Sequence, residues 1–468
     1  MGRVVKLIGL AWCFGLLVLP GTLFLLGKRS SNVENRTLVA YPQRTLANIF
    51  KIATYRQSSD ALVDRLPIRD RAISLKARTL LAIGDNPNPL SLVVGKDGWL
   101  FITDEVLCDA EGTTTAAFFQ QLALARSAAE AAGKRFATVI VPTKMVQEDR
   151  HFGVHHSWEQ CARDRQAELR REAVGKPGII DLWTPLDAIS ASGRDVFWRT
   201  DSHMGPLGKL AYARTVEQAV EPVRARTIRI TLGKPFEHLG DNTLLTGYKQ
   251  FEIDRPIVTH TTTATPPAAG APIVMLGDSQ TEEIQDQFSA GILSSFGFCH
   301  WDKGFWVGTC DPQLRDAGTI VIETVGRAIW RRTEPGFGTR LFSVLLPVIP
   351  STSTPWIDAT GTKPGPGGSV TLTNARATLH VQLPADSVRR RRVIRFTLDA
   401  TAVGGEPFIQ LLIDGKPGTE VLTSIPSAPS GVELTLVVPP GVALSRTAVA
   451  VGSSPGATVS AARISVLG

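Results

Sequence analysis

The spacing of apolar residues changes character once along this 468-residue chain, near Pro347, and the change limits what each part can fold into. Before it, stretches with helical periodicity alternate with short, continuous apolar runs. After it, only brief apolar–polar alternations remain, separated by turn residues. Thr115 to Ala132 is alanine-rich and amphipathic, closes on Gly133, and leads into the apolar run Phe136–Val141. Glu159–Ala173 repeats the helical pattern and stops around Gly175 and Pro177, ahead of Ile179-Ile180-Asp181-Leu182. Pro206 suits the first turn of a helix, so a third helix is predicted from there to about Val220. Two more strands are expected at Pro272–Leu276 and Thr319–Glu323, with Glu282–Leu293 as the helix after the first. Strands spaced by helices predict an α/β fold, a parallel sheet with helices on both faces.

Val93 to Phe101 reads as a hairpin, because Lys96-Asp97-Gly98 is turn chemistry between apolar runs. Ser30 to about Leu90 is polar and helix-leaning. From Pro347 to Ser369 the composition shifts to Pro, Ser, Thr and Gly, as in a linker or an irregular entry strand. Val370–Thr373, Val393–Leu398, Phe408–Ile413, Val432–Val438, Thr447–Val451 and Val459–Val466 then alternate as short strands. Asp414-Gly415 and Pro439-Pro440-Gly441 supply turns between them, and the whole predicts an all-β sandwich.

At the other end, Leu7 to Leu26 is apolar and uncharged, flanked by Arg3 and Lys6 before it and by Lys28 and Arg29 after it. About 20 such residues are needed to span a bilayer, more than a secretory signal's apolar core uses. The expectation is an uncleaved signal-anchor, with a cleaved signal peptide as the alternative. Residues 1–30 are thus read as the transmembrane helix, 31–346 as the α/β domain and 347–468 as the β-sandwich.

The composition, 43% hydrophobic and 20% charged, is that of a packed globular protein rather than a disordered one. A net charge of +7 suggests some affinity for anionic partners, but no basic motif interleaved with aromatics supports nucleic acid, and a mildly basic soluble surface is the favoured reading. Cys13 falls in the apolar segment, leaving Cys108, Cys161, Cys299 and Cys310 in the body. An even number suits two disulfides in an oxidising compartment, Cys299–Cys310 by proximity and Cys108–Cys161 by elimination. Without a Cys-x-x-C pair a structural zinc site is not expected, nor is any other metal or cofactor.

The chemistry concentrates at two places. Pro272–Leu276 breaks into Gly277-Asp278-Ser279, a strand delivering a serine onto a sharp turn. A serine so placed can attack an acyl carbonyl while backbone N–H groups of the turn hold the developing oxyanion. Read alone, the turn is equally an ordinary helix cap. Asp201-Ser202-His203 supplies the remaining parts: His203 to take the Ser279 proton and Asp201 to orient the imidazole and stabilise its charged form. The competing reading is that Asp201 or Ser202 caps the helix beginning near Pro206 while His203 faces solvent.

With these motifs the chain resembles the alginate O-acetyltransferase family (AlgX/AlgJ-like). The resemblance rests on Glu34-Asn35-Arg36, Gly95-x-Asp97-Gly98-Trp99-Leu100-Phe101, Val141-Pro142-Thr143-Lys144, Asp201-x-His203, Gly277-Asp278-Ser279, and Ile322-Glu323 with Arg327, in the family's order. It implies an SGNH-hydrolase-like fold over roughly residues 34–330, with Ser279 as nucleophile, His203 as base and Asp201 as its orienter. Lys144 takes a substrate-binding or a structural role near the site, and Arg327 becomes a substrate-binding candidate. Met204 and Gln280 stand where the family commonly has aromatic residues, which directs attention to the acceptor pocket.

The implied activity is transfer of an acetyl group through a serine ester to hydroxyls of an exported or cell-envelope polysaccharide. The implied partners are that polysaccharide, a membrane protein that donates the acetyl group, and the inner membrane itself. The implied location is periplasmic, anchored to the inner membrane, or secreted if the signal is cleaved. A glycan acetyl-esterase and a non-catalytic polysaccharide-binding protein are the alternatives.

Three further features have two readings each. His151, His155 and His156 suggest metal-ligand spacing or an ordinary loop, and the loop is favoured. Arg389-Arg390-Arg391-Arg392 could grip an anionic polymer or form a solvated turn. Trp301, Trp306 and Trp330 could stack on sugar rings or belong to the core.

Overall fold

The computed structural model describes residues 15, 18–30, 38–43, 45–67, 69–105, 114–153, 157–262, 270–329 and 337–346. In the C-terminal segment it describes the backbone of the strands at 359–360, 362–364, 370–372, 376–381, 392–401, 408–413, 416–417, 425–428, 431–438, 447–452 and 458–467.

In chain order the elements that position the site begin with helices α1 (Ile52–Val63) and α2 (Arg69–Ala82). The hairpin β1 (Leu92–Val94) and β2 (Leu100–Ile102) follows, then α3 (Thr115–Ala131), β3 (Arg135–Val141), α4 (Ser157–Ala173) and β4 (Ile179–Ile180). Next come α5 (Trp183–Ala191), α6 (Pro206–Val220), β5 (Ile228–Leu232), β6 (Phe236–Leu239), α7 (Asp241–Thr246), β7 (Phe251–Asp254) and β8 (Ile257–Thr261). The series ends with β9 (Ile273–Gly277), β10 (Phe296–His300), β11 (Thr319–Val325) and α8 (Phe337–Leu345).

The central sheet runs β10-β9-β11-β3-β4 with every pairing parallel, as the alternation of periods predicts. A parallel strand covered on both faces must be apolar on both, and β9 and β11 are buried at every residue. Alternate residues feed two cores. Ile140, Val274, Leu276, Ile320 and Ile322 pack with Phe118, Leu122 and Ala125 of α3 and with Trp301 and Phe337. Val139, Val141, Ile273, Met275 and Val321 pack with Tyr212, Ala213 and Val216 of α6 and with Phe288.

Local signals set the helix ends. Thr114 accepts the Ala117 N–H as the N-cap of α3, and Pro206 occupies the first turn of α6. The helix expected over Glu282–Leu293 is broken into short pieces, Ser279–Glu282, Gln285–Gln287 and a wide turn at Phe288–Ile292. Ile284 leaves helical geometry between the first two, and Gly291 at φ 122° ends the third. Trp301, weighed as a sugar platform, is 1% exposed, and its indole N–H donates to the Glu323 carbonyl, so it is core. Trp306 packs against the same core, and Trp330 lies outside the described residues.

Cys299 and Cys310 form the expected disulfide, with Cα atoms 5.8 Å apart. Cys161 is also disulfide-bonded, and Cys108 lies outside the described residues. From Ala359 onward the described strands form two antiparallel sheets of five and six strands, in keeping with the all-β pattern of that segment. Arg389, Arg390 and Arg391 lie outside the described residues. So do residues 1–14 and 16–17, which hold most of the expected anchor. Among the described residues no helix is long and apolar enough to cross a membrane.

Candidate active site

In a parallel α/β sheet the ends of all strands share one edge, and loops at the carboxyl edge carry the chemistry. β9 ends there in Gly277 and delivers Asp278 and Ser279. A Cβ on Gly277 would lie 2.6 Å from Glu323 Oε2, so only glycine lets the turn approach β11 this closely. Asp278 is a fastener. Its Oδ1 accepts the Gln280 N–H at 3.0 Å and caps the short helix, while its Oδ2 accepts the Val325 N–H at 3.0 Å. Ser279, between these anchors, remains half-buried rather than enclosed.

Asp201 and His203 precede α6. The Asp201 carboxylate is 1% exposed and is surrounded by N–H donors. Oδ1 accepts the His203 backbone N–H at 2.9 Å and lies 2.6 Å from His203 Nδ1. Oδ2 accepts the Asp241 backbone N–H at 3.0 Å and lies 2.7 Å from His238 Nε2. Burial by itself would raise this carboxyl, but the bonds from His203 and His238 outweigh it and hold it well below the usual carboxylate range. Burial likewise disfavours the charged form of His203, yet Asp201 prevails and the imidazole is raised above its ordinary value. His203 Nε2, the nitrogen turned away from Asp201, is buried without a hydrogen-bond partner. A ring nitrogen left without a partner is placed to accept a proton from an arriving donor.

Gln280 brings the two motifs together. Its side chain is 1% exposed; Nε2 donates to Ser202 O at 3.0 Å and Oε1 accepts the Met204 N–H at 3.2 Å. The residue after Ser279 therefore grips both neighbours of His203. This corrects the reading of Gln280 and Met204 as lining an acceptor pocket, since both side chains are buried, Met204 in the core with β9 and α6. Asp201 and His203 are likewise bonded to each other rather than capping α6 or facing solvent.

For Lys144 the geometry favours the structural of its two expected roles. It is wholly buried, and its ammonium donates to the carbonyls of Leu100 (2.6 Å), Arg199 (3.0 Å) and Asp201 (2.9 Å). With all three protons used it binds no substrate and instead ties β2 to the Asp201 loop. Burial draws it down to about 8, against the pull of Glu105 and Asp201. Arg327, at the carboxyl end of β11, pairs with the buried Glu105 at 3.2 Å and is 13% exposed along its side chain.

Sequence reasoning passed over two contributors, His238 and Glu252, and gave Gln280 a different role. His238 on β6 stands opposite Glu252 on β7. Glu252 accepts the N–H groups of Arg199 (3.1 Å) and Thr200 (2.6 Å), so the hairpin cradles the loop that carries Asp201.

Among the described residues two groups bring three metal-ligating atoms within 4.8 Å, Glu148-His151-Asp195 and Asp201-His203-Asp241. In the first, the Arg150 guanidinium already sits on Glu148 at 3.4 Å and Asp195 at 2.5 Å. In the second, Asp201 is engaged by imidazole and backbone N–H groups, and Asp241 accepts Ser202 N–H and Oγ–H at 2.8 and 2.7 Å. Hydrogen-bond donors account for both arrangements. His151 stacks on Trp99 with ring centres 4.1 Å apart, while His155 and His156 lie outside the described residues.

Residues 92–288 match the family model of the SGNH hydrolase-like domain of the acetyltransferase AlgX. Solved structures similar to this chain include the O-acetyltransferase domain of Pseudomonas putida AlgJ, 19% identical, covering 51% of this chain and 92% of that one with a TM-score of 0.39. Pseudomonas aeruginosa AlgX is 12% identical, covering 81% of this chain and 94% of that one, TM-score 0.39. Bacillus cereus PatB1 is 10% identical, covering 51% and 97%, TM-score 0.33. No protein of curated function matches the chain. The segment from Leu92 to Phe288 is thus similar to the SGNH hydrolase-like domain of the acetyltransferase AlgX, a likeness that spans less than half of the chain.

Proposed function

We propose that this protein is a polysaccharide O-acetyltransferase that works through an acetyl ester on Ser279. The observation that carries the reading is the unpaired, buried Nε2 of His203, backed by Asp201 and clamped by Gln280 beside the serine turn. His203 Nε2 takes the Ser279 Oγ proton as Oγ bonds to the acetyl carbon of the donor. The donor's oxygen leaves with that proton. His203 then takes the proton of an acceptor hydroxyl, the hydroxyl oxygen bonds to the acetyl carbon, and Ser279 Oγ departs and is reprotonated. The N–H groups of Asp278 and Gln280 are already bonded to Glu323 and Asp278, so the Ser279 N–H is the backbone donor assigned to the oxyanion.

The same reading assigns residues 1–30 to an inner-membrane anchor, places residues 31–346 in the periplasm as the transferase, and gives residues 347–468 a carbohydrate-binding role. The apolar run Leu7–Leu26 and the Cys299–Cys310 bond support an exported body. A separate membrane protein supplies the acetyl group, and an alginate-like polymer is the acceptor class. Arg327 meets that acceptor through the donors not engaged with Glu105.

The test uses the full-length protein with an activated acetyl ester and oligosaccharide acceptors. Wild type is expected to yield acetylated sugar and Ser279→Ala none. Transfer that persists in Ser279→Ala ends the serine-ester reading, and release of acetate with no acetylated sugar identifies an esterase instead.

A further inference from the structure

Asp201 bridges two imidazoles, and the function proposed above uses only one of them. His238 Nε2 lies 2.7 Å from Asp201 Oδ2, while His203 Nδ1 lies 2.6 Å from Oδ1. His238 is half-buried, with its ring stacked on Trp198 at 4.9 Å and an interplanar angle of 16°. Trp198 is 5% exposed, so the imidazole lies flat against a buried ring as it meets the carboxylate. The other charged groups around it are Lys209 from α6, Asp254 and Glu252 from β7, and Asp241 after β6. Lys209 is occupied by Asp254 at 3.2 Å and Glu283 at 3.5 Å, Glu252 holds the N–H groups of Arg199 and Thr200, and Asp241 holds Ser202. Asp201 is the acidic partner within hydrogen-bond reach of His238.

We propose that His238 is a positioning residue of the acetyl-transfer site whose own proton competes with the one His203 must carry during the reaction. This rests on the Ser279–His203–Asp201 reading. Neutral His238 donates Nε2–H to Oδ2 and fixes the carboxylate plane, so that Oδ1 faces His203 Nδ1. Protonated His238 draws on the same single negative charge. The imidazolium that His203 becomes in the transition state is then compensated less, and turnover falls. Two imidazoles sharing one carboxylate titrate as a pair, so the acid limb of the reaction belongs to both. Both rings are raised above their ordinary value; burial opposes the charged form in each and the Asp201 bond overcomes it.

The experiment is the pH dependence of kcat and KM of the full-length protein on an acetyl ester, for wild type, His238→Gln and His238→Leu. Glutamine keeps a neutral donor and cannot titrate. Its plateau is expected within about twofold of wild type, with an acid limb displaced to lower pH and reduced to the slope of a single proton. Leucine removes the donor, and its kcat plateau is expected to fall roughly tenfold, the worth of one hydrogen bond to a charged group, with KM unchanged. An acid limb in His238→Gln with the wild-type midpoint and steepness overturns the competition. A His238→Leu plateau equal to that of His238→Gln overturns the positioning role. Turnover that survives His203→Gln would instead sink the underlying base assignment, whatever the His238 variants do.

Discussion

Asp201 and Glu323 are both carboxyl groups buried at the carboxyl edge of one sheet, and their surroundings push them to opposite charge states. Asp201 sits among four N–H groups, from the His203 backbone and ring, the His238 ring and the Asp241 backbone, and is held ionised. Glu323 is wholly buried in β11; its Oε2 accepts the Asp278 N–H at 2.8 Å and the Thr281 hydroxyl at 3.0 Å, but its Oε1 has no partner. Burial, then the neighbouring Asp278 charge, drive its affinity for a proton far above the ordinary value. The difference teaches that depth does not decide ionisation here. The number of N–H donors aimed at the carboxylate does.

The largest effect is expected from taking the charge away at Asp201. Asn at this position must turn its amide NH2 toward one of two imidazole donors, misorienting His203, and kcat should fall by roughly a thousandfold or more. Circular dichroism should stay that of wild type, and near-normal turnover would break the charged half of the comparison. Glu323 is the converse case. Glu323→Gln imitates the protonated acid and should change stability by no more than about 0.5 kcal/mol in urea, whereas Glu323→Ala should cost about 2–4 kcal/mol through a cavity and stranded donors. A loss from Gln as large as that from Ala would mean that Glu323 is ionised.

Glu217 of α6 lies between the extremes. It is 3% exposed and lines an open cleft of about 380 Å³, and burial raises it to about 7 despite Arg224. Its folded value exceeds the unfolded one near 4.5, so folding favours the protonated form. The contribution is complete below pH 4.5 and is lost as pH rises through 7. Glu217→Gln should therefore be more stable than wild type at pH 8 by roughly 1–2 kcal/mol, reduced by solvent in the cleft, and nearly equal at pH 5. An equal gain at both pH values would show that packing, not charge, is responsible.

How far this pattern could be read from sequence depends on how local its causes are. The parallel sheet follows from apolar runs spaced by helical periods. Ser279, Asp201 and His203 stand out because each lies in a short motif at the end of an element. What joins them is long-range. Gln280 bonds to Ser202 across 78 positions, and a glutamine after a turn serine carries no signal of that reach. His238 and Glu252 lie on four-residue strands whose charged side chains break the alternation that announces a strand. Lys144 could be read from its motif as a substrate-binding or a structural cation, and only the three carbonyls folded around it from separate segments decide between the two.

That last contact has a practical side. Leu100 O receives the Lys144 ammonium at 2.6 Å and the Asn242 amide at 3.2 Å, while Leu100 N donates to Arg199 O at 2.9 Å. The strand that looks like a preamble to the α/β body is sewn into the loop that precedes His203. Any shortened version made for expression or crystallisation must begin upstream of Leu92, because trimming to the first strand of the central sheet would leave a charged amine in the interior with one of its three acceptors gone.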